Sequence, residues 1–209
     1  MEQQFQYYAF ISYKREDEKW AKWLQDRLRW YKLPSKLCRQ ITRLPKKVWP
    51  VFRDNTDLDS GRLEENIRHE LERSHYLIVI CSPEAARSPW VGKEVKYFAT
   101  LHGADKIIPF VVSGIPYSND IETECIHEQI KAISQEELLA INVREEGIGS
   151  FAMKKKRAFI RVVARLLDIK FNTLWQAYER ILRIRKWSTG IGVVFILIRF
   201  IHLVGLLPD

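Results

Sequence analysis

The sequence predicts an α/β protein built on a doubly wound, five-stranded parallel sheet. Three observations carry the prediction. Short apolar runs alternate with amphipathic stretches, one run near the middle is apolar without a break, and polar turns separate the segments.

The first run, "QYYAFISY" at 6–13, is aromatic and β-branched and stops at the charged cluster "KRED", as a buried strand does. Residues 17–31 then place Trp20, Trp23, Leu24, Leu28 and Tyr31 at three- and four-residue spacing, the stripe of a helix packed on a sheet. "KVWPVF" at 47–52 is a second strand, and Pro50, lacking an N–H for the ladder, assigns it to an edge. After the polar turn "RDNTDLDSG" a helix is expected from Arg62 to about Ser74, with Leu63, Ile67 and Leu71 on one face. "HYLIVICS" at 75–82 is the unbroken apolar run, and a central parallel strand covered on both faces explains it. Ser88 is placed to cap the next helix, with Pro89 in the first turn. "KIIPFVV" at 106–112 and "LLAINV" at 138–143 complete the strands, joined by a loop with room for a short helix. Such alternation implies right-handed crossovers.

Charge divides the chain. Residues 1–150 hold 22 Lys and Arg against 23 Asp and Glu, whereas residues 151–186 hold 11 against 2, so the formal net charge of +8 belongs to one segment. A nucleic-acid footprint over the main domain is thereby disfavoured. The three cysteines, Cys38, Cys81 and Cys125, have neither metal-like spacing nor an even number, which fits a reducing compartment. The opening residues lack the basic region and apolar run of a secretory signal.

Three segments are therefore expected: a main domain over 1–150, a basic helical juxtamembrane segment over 151–186, and a transmembrane helix over 187–207. In the second, Ile160, Val163, Leu167 and their neighbours offer an apolar helical face, while "KKKR" at 154–157 and "RILRIRK" at 180–186 are too charged for a core and are expected to lie against anionic lipid head groups. In the third, a helical rise of ~1.5 Å per residue gives about 31 Å, close to a hydrocarbon thickness of roughly 30 Å. Its apolar side chains favour insertion by about 4–8 kcal/mol, against ~2.5–3.5 kcal/mol for a central Arg199 and a smaller term for His202. "RIRK" precedes the run, so the positive-inside rule keeps residues 1–186 cytoplasmic. The competing reading is a helix buried in an oligomer or a partner.

In an open α/β sheet, ligands bind beyond the carboxyl ends of the strands, here the loops "SYKRED", "RDNTDLDSG" and "CSPEAARSPW". The chain contains no GxGxxG, GxxxxGK[ST] or HExxH pattern. On the helix that starts near Pro89, Val91, Val95 and Phe98 should face the core, while Trp90, Glu94, Tyr97 and Leu101 form the neighbouring stripe. A carboxylate beside aromatic surface can stabilise positive charge developing on a sugar. By spacing alone, such a pair more often simply covers a helix surface.

"YYAFISYKRED", "VFRDNTDLDSG", "SHYLIVICSPEAARSPWVGKEV" and "IIPFVV" resemble, in order and spacing, the boxes of the Toll/interleukin-receptor (TIR) domain, bacterial and plant enzyme-like members above all. The resemblance covers roughly residues 5–145 and implies a flavodoxin-like sheet. In many members it further implies cleavage of NAD+ at the nicotinamide–ribose bond, with NAD+ as substrate and no separate cofactor or metal. It assigns Glu94 as the catalytic carboxylate and Trp90 as the aromatic of the WxxxE motif, which in several members influences whether linear or cyclic ADP-ribose forms. Ser12, Tyr13 and Lys14 match the loop bordering the substrate. Arg53, Asp54 and Gly61 match the loop that closes over the site and mediates domain–domain contacts, though it lacks the "PG" of receptor members. Tyr97, below Glu94 on the stripe, joins them as a substrate-binding candidate. The resemblance also implies self-association, a role in bacterial antiphage signalling or NAD+ depletion, and a downstream effector or upstream sensor as further partner. A non-catalytic scaffold acting by TIR–TIR assembly is the alternative.

Overall fold

The computed structural model describes residues 5–41, 44–45, 47–53, 61–133, 139–144 and 147–183, with backbone only for 61–64. Asp54 and the apolar run 187–207 lie outside the described residues. Among the described residues no helix is long and apolar enough to cross a membrane.

Five parallel strands form one sheet: β1 (Tyr7–Ser12), β2 (Val51–Arg53), β3 (Ser74–Cys81), β4 (Ile107–Val111) and β5 (Ile141–Asn142), in the order β2-β1-β3-β4-β5. As the proline required, β2 is an edge strand. It starts only after Pro50, whose carbonyl accepts the Tyr8 N–H at 2.7 Å. β5 is trimmed to two residues. Side chains alternate between two cores because a strand repeats every two residues. Ala9 and Ile11, Ile78 and Ile80, and Ile108 and Phe110 face one core; Phe10, Leu77, Val79, Cys81, Ile107 and Val111 face the other.

The first core is covered by α1 (Glu18–Trp30), whose Ala21, Leu24 and Leu28 are buried. The short α2 (Ser35–Gln40), which the sequence did not announce, adds Leu37. Trp20 and Trp23 of the expected stripe are only partly buried. The second core is covered by α3 (Gly61–Glu72), α5 (Pro89–His102) and α6 (Glu128–Ile133), through residues such as Leu71, Val95, Phe98 and Ile130. A one-turn helix, α4 (Pro83–Ala86), stands where only loop was expected. Gly103, at a φ of 86°, ends α5 in a conformation that a side chain disfavours.

The C-terminal basic segment packs on the first core through the expected apolar face, with Ile160 and Val163 buried and Leu167 partly buried beside them. α7 (Phe151–Leu166) buries Ala158, Phe159, Ile160, Val162, Val163, Ala164 and Leu166 in the first core, and a helical run over 171–183, α8, adds Leu174 and Trp175. The core thus continues past the boundary expected at residue 150. The cations of "KKKR", expected to stay clear of the core, lie on its aromatic rim. Lys155 Nζ stands 4.3 Å and 4.2 Å from the ring centroids of Trp20 and Trp23, and Arg157 sits 4.6 Å from that of Trp175. Lys156 lies over Tyr178 and Arg161 over Phe171. Long aliphatic stems and aromatic faces make such half-burial tolerable, at about 0.5–2 kcal/mol of attraction per contact.

A chain ending at residue 150 would remove Phe159, Val162, Val163 and Leu174, among others, from the first core. It is expected to lose the cooperative urea unfolding transition that a chain ending at 183 retains, with circular dichroism as the measurement.

Candidate active site

The sheet order reverses at β1, which has β2 on one side and β3 on the other, and ligands of open α/β sheets bind at such a point. Here alternation along β1 turns Phe10, and two residues on Ser12, toward the face that carries α5. The Ser12 hydroxyl, with the residue only 1% exposed, donates to Oε2 of Glu94. Glu94 is half-buried, one step round the helix from the core positions Val91, Val95 and Phe98, as its phasing predicted.

Glu94 forms part of the wall of a groove of about 300 Å³ between α3 and α5. Trp90 and Tyr97 line it from the same helix, Ile67, Arg68 and Leu71 from α3, and Lys93, Lys96 and Thr100 complete it. Trp90 is 40% exposed, leaving aromatic surface for a planar ligand, and Lys93 Nζ lies 4.4 Å from its ring centroid. The Tyr97 hydroxyl donates to Glu72 Oε1 at 2.5 Å, and this bond pushes its own pKa up by favouring the protonated donor.

Tyr13, Lys14 and Arg53 are not among the described residues that line this groove. Tyr13 packs toward the first core, and its hydroxyl accepts Arg53 Nη1 at 3.1 Å. The Arg53 side chain, 8% exposed, also donates to Gln25 Oε1 at 3.2 Å and Glu18 Oε1 at 3.3 Å. It pairs in register with Ile11, and so faces α1 rather than the groove. Arg53 therefore braces the loop after β1. Lys14 contributes a carbonyl that accepts the Asp17 N–H at 2.8 Å. Gly61 opens α3.

Sequence reasoning took Ser82 for a strand-end or capping residue, which it is, but missed its pairing with the buried Asp17. Ser82 Oγ donates to Asp17 Oδ2 at 2.5 Å and accepts the Ala85 N–H at 3.0 Å, joining the carboxyl ends of β1 and β3. Burial pushes the Asp17 carboxyl pKa up, and the Ser82 hydroxyl pulls it partly back. The signal available was an acid and a serine at adjacent strand ends. Ser82 caps α4, whereas the Ser88 side chain makes no cap bond although it occupies the N-cap position of α5, as expected.

Gly92, inside "WVGKE", packs against the buried imidazole of His127. A Cβ there would stand 2.5 Å from its Cε1 and 2.7 Å from its Nε2. Burial lowers the His127 pKa, and its Nδ1 accepts the Gln129 N–H at 3.0 Å.

A doubly wound parallel sheet with a half-buried carboxylate and an exposed tryptophan beside its switch point defines the class of fold. Residues 9–146 match the TIR domain model, and the chain belongs to the TIR family. It is 36% identical over 110 residues, 52% of its length, to the NAD(+) hydrolase ApTIR of Actinoplanes sp.. The chain matches only 14% of that protein's length. The TIR domains in the structure of the activated Roq1 resistosome recognizing the effector XopQ are similar at a TM-score of 0.49 and 14% identity, over 74% of this chain and 98% of that one.

Two outcomes test this packing. Gly92→Ala should destabilise the fold by about 1–3 kcal/mol in urea titrations despite alanine's better helix propensity, because the ring has to move. The lowered His127 pKa means that the unfolded chain binds more protons than the folded one once pH falls below the ordinary histidine value of 6.5. Stability contributed by the neutral imidazole should therefore be lost from about pH 7 downward, and His127→Gln should flatten the fall in urea midpoint between about pH 7 and pH 5.5.

Proposed function

We propose that the chain cleaves NAD+ at the bond between ribose and nicotinamide, with Glu94 as the catalytic carboxylate. The observation that carries this reading is the Glu94 carboxylate, fixed by the buried Ser12 hydroxyl and bordered by the exposed Trp90 ring. The 36% identity to an NAD(+) hydrolase over 110 residues supports the same chemistry.

The C1′–N bond breaks and its electron pair passes to the pyridinium nitrogen, so nicotinamide leaves neutral and needs no acid. Positive charge develops on the ribose, and a fixed carboxylate stabilises it. Water adds to C1′ and gives up a proton, yielding ADP-ribose; attack from within the same molecule yields a cyclic isomer instead. Ser12 acts through Glu94 as a positioning residue, because its bond limits the rotamers of the carboxylate. Trp90 offers stacking surface for a planar ring. The resemblance to TIR enzymes adds self-association as the active form and bacterial defence as the setting. The apolar run 187–207 adds attachment to a membrane.

Full-length protein incubated with NAD+ should release nicotinamide together with ADP-ribose or a cyclic isomer, identified by mass. Glu94→Gln, which keeps an acceptor for Ser12, should lower kcat at least about 100-fold. Ser12→Ala should lower it roughly tenfold with little change in KM. Undiminished turnover by Glu94→Gln would overturn the assignment.

A further inference from the structure

The groove beside Glu94 carries more positive charge than the glycosidic bond calls for. Among its described lining residues one is acidic, Glu94, and three are cationic: Arg68 from α3, and Lys93 and Lys96 from α5. Cations close to a ribose that is becoming positive oppose the reaction, unless the substrate brings negative charge of its own.

Two of the three are set against aromatic faces. The Arg68 guanidinium carbon lies 5.4 Å from the Tyr97 ring centroid, and Lys93 Nζ lies 4.4 Å from that of Trp90. Tyr97 is itself held by its bond to Glu72, so the rings place these charges on both walls of the groove. All three cations are exposed, whereas Glu94 is half-buried.

We propose that Arg68, Lys93 and Lys96 bind the diphosphate of the substrate and make the groove selective for phosphorylated nicotinamide nucleosides over the free nucleoside. This rests on the reading of Glu94 as the carboxylate that serves the glycosidic bond. Arg68 supplies a planar fork for two phosphate oxygens, and the lysines supply point charges beside it. The sugar and pyridinium lie next to Glu94 and Trp90, and the phosphates lie against the three cations.

The test uses the full chain carrying Glu94→Gln, which separates binding from turnover, and titrates it with NAD+ and with nicotinamide riboside by calorimetry. The parent should bind NAD+ more tightly than the riboside, and added salt should weaken only the NAD+ complex. Arg68→Gln and Lys96→Gln, both exposed positions, should each weaken NAD+ binding roughly tenfold and leave riboside binding within about twofold. In the chain that retains Glu94, the same substitutions should raise KM for NAD+ while kcat holds.

Equal affinity of the parent for the two ligands, no binding of NAD+, or equal losses for both ligands in the variants would each overturn the phosphate site. Phosphate-dependent binding without cleavage by the Glu94 chain would leave the site standing and remove the glycohydrolase reading. Cleavage of NAD+ and riboside with equal kcat/KM would do the reverse.

Discussion

The Ser12 hydroxyl donating to Glu94 joins the end of β1 to helix α5, and the geometry of the site depends on it. A half-buried carboxylate requires a donor, since an unsatisfied one costs several kcal/mol on the order of a lost charged hydrogen bond. Two-residue alternation places Ser12 on the same face as Phe10, where α5 packs, and sends Tyr13 toward α1. One residue of register shift in β1 would exchange those faces and leave Glu94 beside a different side chain. Its pairing with both β2 and β3 makes such a shift costly.

The two faces of the sheet consequently do different work. The α3 and α5 face carries the groove, its aromatic surface and its cations. On the opposite face, Arg53 reaches across Tyr13, Gln25 and Glu18, and α7 and α8 stack charged side chains on Trp20, Trp23, Phe171 and Trp175. That stacking accounts for much of the net positive charge close to the domain itself. Lys155 registers the crowding, its pKa lowered by burial and by the neighbouring Arg27 charge. Between the faces, the Asp17–Ser82 bond fastens the ends of β1 and β3 and fixes the floor of the switch point.

Much of the fold was legible in the chain because each strand has a pattern that local geometry enforces. The apolar run of β3, the proline before β2 and the Val91, Val95 and Phe98 spacing of α5 each allow one arrangement at low cost. α2 and α4 were not legible, since a helix of one or two turns has too short a period to read. The seating of the basic tail's cations against aromatic rings was not legible for a different reason. A cation's tolerance of a core edge depends on which rings come to meet it, and those rings belong to other elements.

The sequence by itself determined the doubly wound sheet, the edge position of β2, and the placement of Glu94 beside Trp90 and Tyr97, because strand and helix periods act over a few residues. Only the tertiary structure decided that Ser12 meets Glu94 across 82 positions, that Asp17 meets Ser82 across 65, and that Arg53 turns from the groove to Tyr13. Those partners lie on different strands and helices, so parallel pairing and crossover packing, rather than local spacing, bring them together.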